Sequence, residues 1–329
     1  MNARPPLSPE LLVLDAAREA DRICDWIRAN VQDFKRRGAV VALSGGIDSS
    51  VVGSLCVRAL GKENVFGLLM PEEDSSDDTL RISSGLVAHL GIQHRLENLT
   101  PILAAVGCYS RRDEAIRTVV PDYDSAWKHK IVLPGVLDSD SYRVYSLVIE
   151  TSDGTQRKVR LPLAAYLAIV AATNFKQRTR KMMEYHEADR LNYVATGTPN
   201  RLEYDQGFFV KLGDGAADVK PIAHLYKSQV YQMAAYLDVP EEIRKRPPTT
   251  DTYSLPQSQE EFYFSLPYDR MDLCLYARDN GYSAADAAAG LGLTPEQVER
   301  VYRDIEGKRR YARYLHAHPR LVDPAIERG

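Results

Sequence analysis

The feature that most constrains the fold of this chain is a short apolar segment followed at once by a polar, glycine-containing turn. Residues 39–43 (AVVAL) are all apolar and rich in branched side chains, which is typical of a central strand in a parallel sheet. Residues 44–50 (SGGIDSS) contain two adjacent glycines. The residues after them, 51–60, have a helical pattern that ends at Gly61. A strand that turns tightly into a helix is the first unit of a layered α/β protein.

The same alternation continues along the chain. Residues 65–69 are a second apolar strand, residues 78–90 a helix and residues 93–96 a short third strand. This βαβαβ order predicts an α/β fold with a doubly wound, mainly parallel sheet flanked by helices. Ahead of it, residues 7–37 carry apolar side chains at helical spacing.

The remaining segments are less regular. Residues 143–150 and 157–161 alternate around the turn TSDGT, a hairpin signal. Further predictions are helices over 162–185 and 221–237, a strand over 191–195, and a helix from the capping box Thr294–Gln297 to Leu315. Because no internal repeat or low-complexity linker is present, we expect a single domain over 1–329. Within it we distinguish an N-terminal helical segment (7–38), an insertion with the hairpin (106–161) and a C-terminal helical tail (281–329).

Composition excludes several classes of protein. The 42 Lys and Arg residues against 45 Asp and Glu give a net charge of −3, so no nucleic-acid partner is expected. The longest apolar run, residues 161–172, is too short to cross a bilayer, and the first ten residues carry no export signal. The four cysteines are scattered without a CxxC pair. We therefore expect a cytoplasmic protein with no membrane partner.

The turn after the first strand has the chemistry of a phosphate site. Its glycines let the backbone approach a ligand, and the amide groups that open the next helix favour an anion. No Lys follows the glycines, so this is not a Walker loop, and GxGxxG is also absent. Asp48 in such a site is best explained as a ligand of Mg²⁺, which would link it to phosphate oxygens.

The motif SGGxDS resembles that of the PP-loop ATP pyrophosphatases, which have an adenine nucleotide alpha hydrolase-like fold and adenylate an acceptor. Four further blocks resemble the NAD synthetases within that group. They follow one another in register over residues 174–251: Asn174–Arg180 (NFKQRTR), Gly197–Glu203 (GTPNRLE), Gly207–Lys227 with GDGAAD, and Pro248–Asp251 (PTTD).

The resemblance implies an ammonia-dependent NAD synthetase, an AMP-forming ligase. In such enzymes the nicotinate carboxylate of deamido-NAD attacks the α-phosphate of ATP, which releases pyrophosphate and leaves an acyl-adenylate. Ammonia then displaces AMP to give NAD. The implied cofactor is Mg²⁺, the implied small-molecule partners are ATP, deamido-NAD and ammonia, and the implied assembly is a homodimer with helices near Asn174 and the N-terminus at its interface.

The resemblance also assigns roles by position. The catalytic residues are predicted to be Asp48, Lys227 and Asp214, and the metal ligands Asp48 and Glu203. The predicted contacts of ATP are Ala42, Leu43, Ser44, Gly45, Gly46, Ile47, Asp48, Ser49, Thr198, Lys227 and Thr249. The predicted contacts of deamido-NAD are Asn174, Arg178, Lys211, Asp214, Asp218 and Lys308.

Two departures from the family pattern leave other functions open. NAD synthetases carry His-Lys-Arg near the C-terminus, where this chain has Gly307-Lys308-Arg309, and the acidic Thr-Asp-Glu after the PTTD block is replaced by residues 258–261 (SQEE). The alternatives are a PP-loop ligase acting on another carboxylic acid, a tRNA thiolase, and a non-catalytic nucleotide-binding relative. A glutamine-using enzyme is not expected, since only 38 residues precede the first strand and Cys24 lies in an amphipathic helix.

Overall fold

The main sheet of the protein is parallel and lies between helices. The structure, a computed structural model, describes residues 4–133, 135–137, 145–248 and 252–322. In that part of the chain the sheet consists of β1 (Ala39–Ala42), β2 (Val65–Leu69), β3 (Gln93–Leu96) and β7 (Val194–Ala195). Their order is β3–β2–β1–β7, and every pair is parallel. The predicted doubly wound α/β class is confirmed.

Helices connect these strands as the alternating pattern predicts. Strand β1 leads into α2 (Ile47–Leu60), β2 into α3 (Asp77–Leu90), and β3 into α4 (Thr100–Ala105) and α5 (Cys108–Arg117). The 29-residue helix α6 (Leu163–Leu191) returns the chain to β7. It extends six residues beyond the predicted end near 185, to Leu191, and is followed by Asn192, which adopts a left-handed backbone conformation. The predicted strand over 191–195 is correspondingly reduced to Val194–Ala195.

The N-terminal segment is not the single helix predicted over 7–37. A short 3₁₀ turn (Pro9–Leu12) comes first, and α1 (Ala16–Asp33) follows it. Asp15 separates the two elements because its side chain accepts a hydrogen bond from the backbone N–H of Arg18 at 3.1 Å, which caps α1. Helix α1 buries one face, which includes Ile23 and Ile27, in the core beneath the main sheet.

The predicted hairpin belongs to a larger sheet. Strands β5 (Ser146–Glu150) and β6 (Gln156–Arg160) pair antiparallel as predicted, and β4 (Lys128–Val132), which sequence reasoning missed, pairs with the other edge of β5. The beginning of the predicted strand, residues 143–144, lies outside the described residues. Leu147 and Ile149 of β5 are fully buried in a core shared with α5 and α6. The sheet therefore packs on its own chain.

The C-terminal part of the chain is mainly helical. Its helical elements are α7 (Arg201–Gln206), α8 (Lys227–Tyr236), α9 (Glu241–Lys245), a π-helical turn (Glu260–Phe264), α10 (Tyr268–Asp279), α11 (Ala284–Leu291) and α12 (Pro295–His316). The capping box at Thr294 and Gln297 is present. Helix α8, predicted from Pro221, begins only at Lys227, where Tyr226 and Gln229 form a capping box.

Candidate active site

The glycine turn joins β1 to α2 in a conformation that few other residues could adopt. Gly45 has φ of +73°, and a Cβ atom there would lie 3.2 Å from the carbonyl oxygen of Thr79. Helix α2 begins at Ile47, four residues earlier than predicted, with Gly46 as its N-cap. Gly46 has no side chain to cap the first N–H groups, so the positive end of α2 faces the cavity that the turn lines.

Serines hold the turn in shape. The hydroxyls of Ser49 and Ser50 both donate to the carbonyl oxygen of Gly46, at 3.0 and 2.8 Å. The hydroxyl oxygens of Ser44 and Ser49 lie 3.3 Å apart. Ser50 is fully buried, whereas Ser44 is exposed to the cavity. Ser50 therefore has a structural role, while Ser44 is accessible to a ligand.

Two acidic residues and one lysine meet beside this turn. The ammonium of Lys227, at the start of α8, forms an ion pair with Asp48 on α2. The side-chain amide of Asn200 donates to the other carboxylate oxygen of Asp48 at 3.0 Å. Asn200 also caps α7 in a reciprocal box with Glu203. One amide residue therefore brings the two predicted metal ligands, Asp48 and Glu203, together.

The electrostatics of this cluster are set by burial. Burial, together with the negative charge of Asp48, raises the pKa of Glu203 to about 8. Burial of the Lys227 ammonium opposes its charge, but Asp48 and Glu203 outweigh that effect and raise its pKa. The cluster thus holds the Lys227 ammonium beside the Glu203 carboxyl group, which binds a proton more tightly than usual. A divalent cation could take the place of that proton.

Sequence reasoning missed the residue that fixes the start of α8. The carboxylate of Asp272, on α10, accepts hydrogen bonds from the backbone N–H groups of Lys227 and Ser228 at 3.1 and 2.7 Å. Asp272 is fully buried, and burial raises its pKa to about 6. It holds the backbone of Lys227 in place. No motif marks Asp272, so a single sequence offered no signal for it.

A cavity of about 630 Å³ opens from the glycine turn. Most predicted site residues line it, namely Ala42, Leu43, Ser44, Gly45, Gly46, Ile47, Asp48, Ser49, Asn174, Arg178, Thr198, Glu203, Lys211, Asp214 and Lys227. Its lining carries seven Lys or Arg residues against four Asp or Glu residues, so it suits a polyanion. Thr249 and the rest of the PTTD block after Pro248 lie outside the described residues.

Two predicted contacts of deamido-NAD lie elsewhere. Asp218 accepts hydrogen bonds from the backbone N–H of Ala195 at 2.8 Å and from the hydroxyl of Tyr185 at 3.0 Å, so it fastens β7 to α6. Lys308 donates to the carbonyl oxygen of Tyr263 at 2.7 Å and pairs with Asp304 at 2.7 Å. Neither residue lines the cavity, and their contacts are those of structural residues.

The far end of the cavity is built from α6, residues 207–214 and the end of α12. The guanidinium of Arg178 donates to the carbonyl oxygen of Lys211 at 3.3 Å, and Lys211 donates to that of Tyr314 at 2.8 Å. The carboxylate of Asp214 accepts from the backbone N–H of Val210 at 2.8 Å, and burial raises its pKa. Asp214 thus shapes the loop as well as lining the cavity.

Aromatic side chains form much of the remaining wall of the cavity. Phe262 and Tyr263 line the cavity, while Phe264 is buried in the core. Tyr145 and Tyr166, which also line it, stack with their ring centroids 4.1 Å apart. Aromatic faces of this kind can hold a planar ring.

A family model described as NAD synthase matches residues 19–121 and 146–315. It passes over residues 122–145, a narrower gap than the predicted insertion of 106–161. No helix among the described residues is both long and apolar enough to span a membrane.

Relatives and solved structures agree with the match. Several relatives carry the name NH(3)-dependent NAD(+) synthetase. That of Rhizobium meliloti (strain 1021) is 56% identical over 99% of both chains. That of Mesorhizobium japonicum is 60% identical over 94% of this chain and 98% of its own. The NH3-dependent NAD synthetase of Campylobacter jejuni shares the fold, with a TM-score of 0.62, 24% identity, and coverage of 94% of this chain and 100% of its own. The chain belongs to the NAD synthase family.

Proposed function

We propose that this protein makes NAD by the ATP-dependent amidation of deamido-NAD with ammonia. The observation that carries the proposal is the cluster of Asp48, Glu203 and Lys227 at the phosphate-binding turn, inside a cavity with an excess of positive charge. Binding a nucleotide does not require a cation and two acidic groups held together by Asn200. The names of the relatives support the same reaction.

In the first step, a carboxylate oxygen of deamido-NAD attacks the α-phosphorus of ATP, and the bond to pyrophosphate breaks. The backbone N–H groups at the start of α2 and the hydroxyl of Ser44 would bind the phosphates. Lys227 would stabilise the charge that develops on the transferring group, since Asp272 fixes its backbone. Arg178, Thr198 and Thr249 would contribute polar contacts to the two nucleotides.

The acidic pair fits a magnesium ion. Asp48 and Glu203 supply hard oxygen donors at the phosphate-binding turn, and Asn200 holds the two side chains together. Asp48 and Glu203 would hold the ion beside the phosphate-binding turn. When bound, Mg²⁺ neutralises phosphate charge and polarises the α-phosphate.

In the second step, ammonia attacks the acyl carbon, the bond to AMP breaks, and the nitrogen loses a proton. Asn174, Lys211 and Asp214 would line the deamido-NAD end of the cavity, and the proton would leave to solvent or to a product phosphate. The aromatic wall, which includes Tyr145 and Phe262, would limit the access of water to the acyl-adenylate.

We further propose a cytoplasmic homodimer in which α6 lies at the subunit interface. Helix α6 exposes Leu163, Leu167 and Met182, with 71%, 54% and 55% of their surfaces accessible. Large apolar side chains this exposed on one helix are typical of an interaction surface. The same helix carries Asn174 and Arg178 at the cavity.

The deciding experiment measures AMP and pyrophosphate release from ATP by the purified chain with deamido-NAD and ammonium. We expect both products in equal amounts with NAD. A panel of carboxylic acids extends the assay: product release with another acid alone would indicate a different PP-loop ligase. No release with any acid, despite ATP binding, would indicate a non-catalytic nucleotide-binding relative.

A further inference from the structure

One wall of the cavity is a segment with little regular structure. Residues 252–264, which we name the cavity strap, contain only the π-helical turn Glu260–Phe264 as a defined helix. Strap residues that line the cavity are Thr252, Tyr253, Gln259, Phe262 and Tyr263. A segment of this kind loses substantial conformational entropy when it is ordered. Something outside the strap must therefore hold it in place.

Strand β4 supplies several of the hydrogen bonds that hold the strap. The backbone N–H of His129 donates to the hydroxyl of Ser254 at 2.9 Å, and the N–H of Leu255 donates to the carbonyl oxygen of His129 at 3.1 Å. The side-chain amide of Gln257 donates to the carbonyl oxygen of Ile131. The strap thus follows the edge of β4 that faces away from β5.

Lys130 spans two points of the strap. Its ammonium donates to the carbonyl oxygen of Pro256 at 3.2 Å and to the carboxylate of Glu261 at 2.8 Å. The side chain of Lys130 is 18% exposed and that of Glu261 is 38% exposed, so the lysine end of the pair is partly shielded from water. A partly buried, charge-assisted contact of this kind is stronger than an exposed ion pair.

The strap in turn reaches the acidic pair. The side-chain amide of Gln259 donates to Glu203 at 2.9 Å, and the hydroxyl of Tyr263 donates to the carbonyl oxygen of Gln206 at 2.7 Å. The strap is therefore attached to α7 both at the carboxylate of Glu203 and at the last residue of the helix. Because α7 carries Glu203, the position of the strap and that of the carboxylate are linked.

We propose that β4 is a positioning element for the active site and that Lys130 is its principal positioning residue. It orders the cavity strap and, through Gln259, orients Glu203 for Mg²⁺; this last part rests on the proposed function. Strand β4 lies within residues 122–145, which the family model passes over. The device therefore belongs to this chain and to relatives that share the segment, and not to the family pattern as a whole.

The test uses the full chain and three substitutions. Lys130→Met removes both strap contacts, Lys130→Arg restores a cation, and Lys128→Met is the control, since Lys128 is exposed on the same strand. Hydrogen exchange of the strap amides is measured without nucleotide, and Mg²⁺-dependent binding of ATP by calorimetry. In Lys130→Met we expect exchange at residues 254–261 to be about 10-fold faster. We also expect an approximately 10-fold higher half-saturating Mg²⁺ concentration.

A second variant separates the two links. Gln259→Ala should raise the half-saturating Mg²⁺ concentration as much as Lys130→Met does. It should leave the hydrogen exchange of residues 254–257 unchanged. Lys130→Arg should recover most of both effects, and Lys128→Met should show neither. Unchanged exchange in Lys130→Met would overturn the ordering role of β4, and faster exchange with unchanged Mg²⁺ dependence would overturn its link to Glu203. Neither readout requires turnover, so a wild-type chain inactive on deamido-NAD would refute only the proposed function.

Discussion

At the acidic cluster, one buried cation has two tasks. In the absence of substrate, Lys227 neutralises Asp48; with ATP bound, the same ammonium would face phosphate oxygens. The backbone of Lys227 is held by the buried carboxylate of Asp272, so the side chain can change partners while its base stays fixed. A cation that is held in position before the reaction stabilises transition-state charge without the cost of reorganising.

The first prediction concerns this cation. Lys227→Met should lower kcat by about 100-fold or more, because a pre-positioned charge at the transferring phosphoryl group is lost. The measurement is steady-state turnover at saturating ATP and deamido-NAD. Lys62→Met, at an exposed site outside the cavity, is the matched control. A kcat within twofold of the wild type would show that Lys227 has no role in the chemistry.

The second prediction concerns the acidic pair. Asp48→Asn and Glu203→Gln keep the size of each side chain but remove its charge, so each should lower the rate by about 10-fold or more at fixed magnesium. Circular dichroism should show an unchanged fold. The control is Asp25→Asn, an exposed acid on α1. If both variants kept normal activity and the same magnesium dependence, the metal assignment would be wrong.

At this scale, the sequence pointed to residues that belong to a motif and offered no signal for residues that act only through a contact. The motif SGGIDSS and the blocks after it predicted Asp48, Glu203 and Lys227, which the structure brings together. Asp272 and Gln259 act through partners that are distant in sequence, at Lys227 and Glu203. Asp218 and Lys308 show the opposite case. Each matches or approaches a family motif, yet its hydrogen bonds hold neighbouring segments together and it does not line the cavity.

At the scale of elements, the predictable parts are those with strong local patterns. The apolar strands β1 and β2 and the hairpin of β5 and β6 were all predicted. Strand β4 was missed because its sequence, KHKIV, has a charged half and a buried histidine. Segment 128–132 is a strand because its backbone forms hydrogen bonds with β5 on one edge and with the strap on the other, and both partners are distant in sequence. Because β5 contributes the fully buried Leu147 and Ile149 to the core shared with α5 and α6, deleting the hairpin would disrupt that core.

The third prediction tests β4 through His129. Burial, aided by the cations Arg112 and Lys176 and opposed by Asp74, lowers the pKa of His129 from 6.5 to about 3. As the pH falls below about 6.5, the unfolded chain takes up a proton that the folded chain accepts only near pH 3. The stability from His129 is thus complete above pH 6.5, and it is lost progressively as the pH falls from 6.5 to 3. By pH 5 the loss should be about 2 kcal/mol.

The measurement compares urea unfolding at pH 7 and pH 5 in the wild type and in His129→Gln. The variant keeps a polar side chain that does not titrate, so its stability should fall less between the two pH values, even if it is lower throughout. Ser254 and Tyr123, the hydrogen-bonding neighbours of the ring, do not titrate in this range. Equal losses in the two proteins would contradict the depressed pKa of His129.

At the scale of the whole molecule, the burial of the cysteines bears on whether the nitrogen donor is ammonia or glutamine. All four, Cys24, Cys56, Cys108 and Cys274, are described, free and buried. Burial raises the pKa of each thiol, to about 11 for Cys108 and about 12 for Cys56 and Cys274. A thiol in such surroundings is a poor nucleophile, because the thiolate is the reactive form. This chain should therefore not hydrolyse glutamine by itself.

The fourth prediction is that ammonium supports turnover and glutamine does not. Steady-state assays on the purified chain, with NAD formation as the readout, should give a rate with glutamine no higher than without a nitrogen source. Pretreating the chain with a thiol-alkylating reagent under native conditions should leave the rate with ammonium unchanged. Efficient turnover with glutamine would show that one of the four buried thiols becomes accessible.

The assembly is the property of the whole molecule that bears most directly on the cavity. At 100° per residue, Leu163, Leu167, Asn174, Arg178 and Met182 lie within about 100° of one another around the axis of α6. The face of α6 that carries the exposed apolar side chains therefore also carries the residues that line the cavity. A second subunit seated on this face would lie beside the deamido-NAD end of the cavity.

The fifth prediction is that Leu167→Asp weakens dimerisation and substrate binding together. A charge placed in the apolar face should raise the dimer dissociation constant by about 10-fold or more. Sedimentation velocity over a range of concentrations measures this, and the KM for deamido-NAD should rise as the monomer becomes the main species, while ATP binding at the glycine turn changes little. Val106→Asp, the same kind of change at a 39% exposed apolar residue after α4, is the control and should leave both unchanged.

If Leu167→Asp stayed dimeric, α6 would not form the interface. If it became monomeric with an unchanged KM, the partner subunit would contribute nothing to the cavity, because the deamido-NAD end would then be complete within one chain.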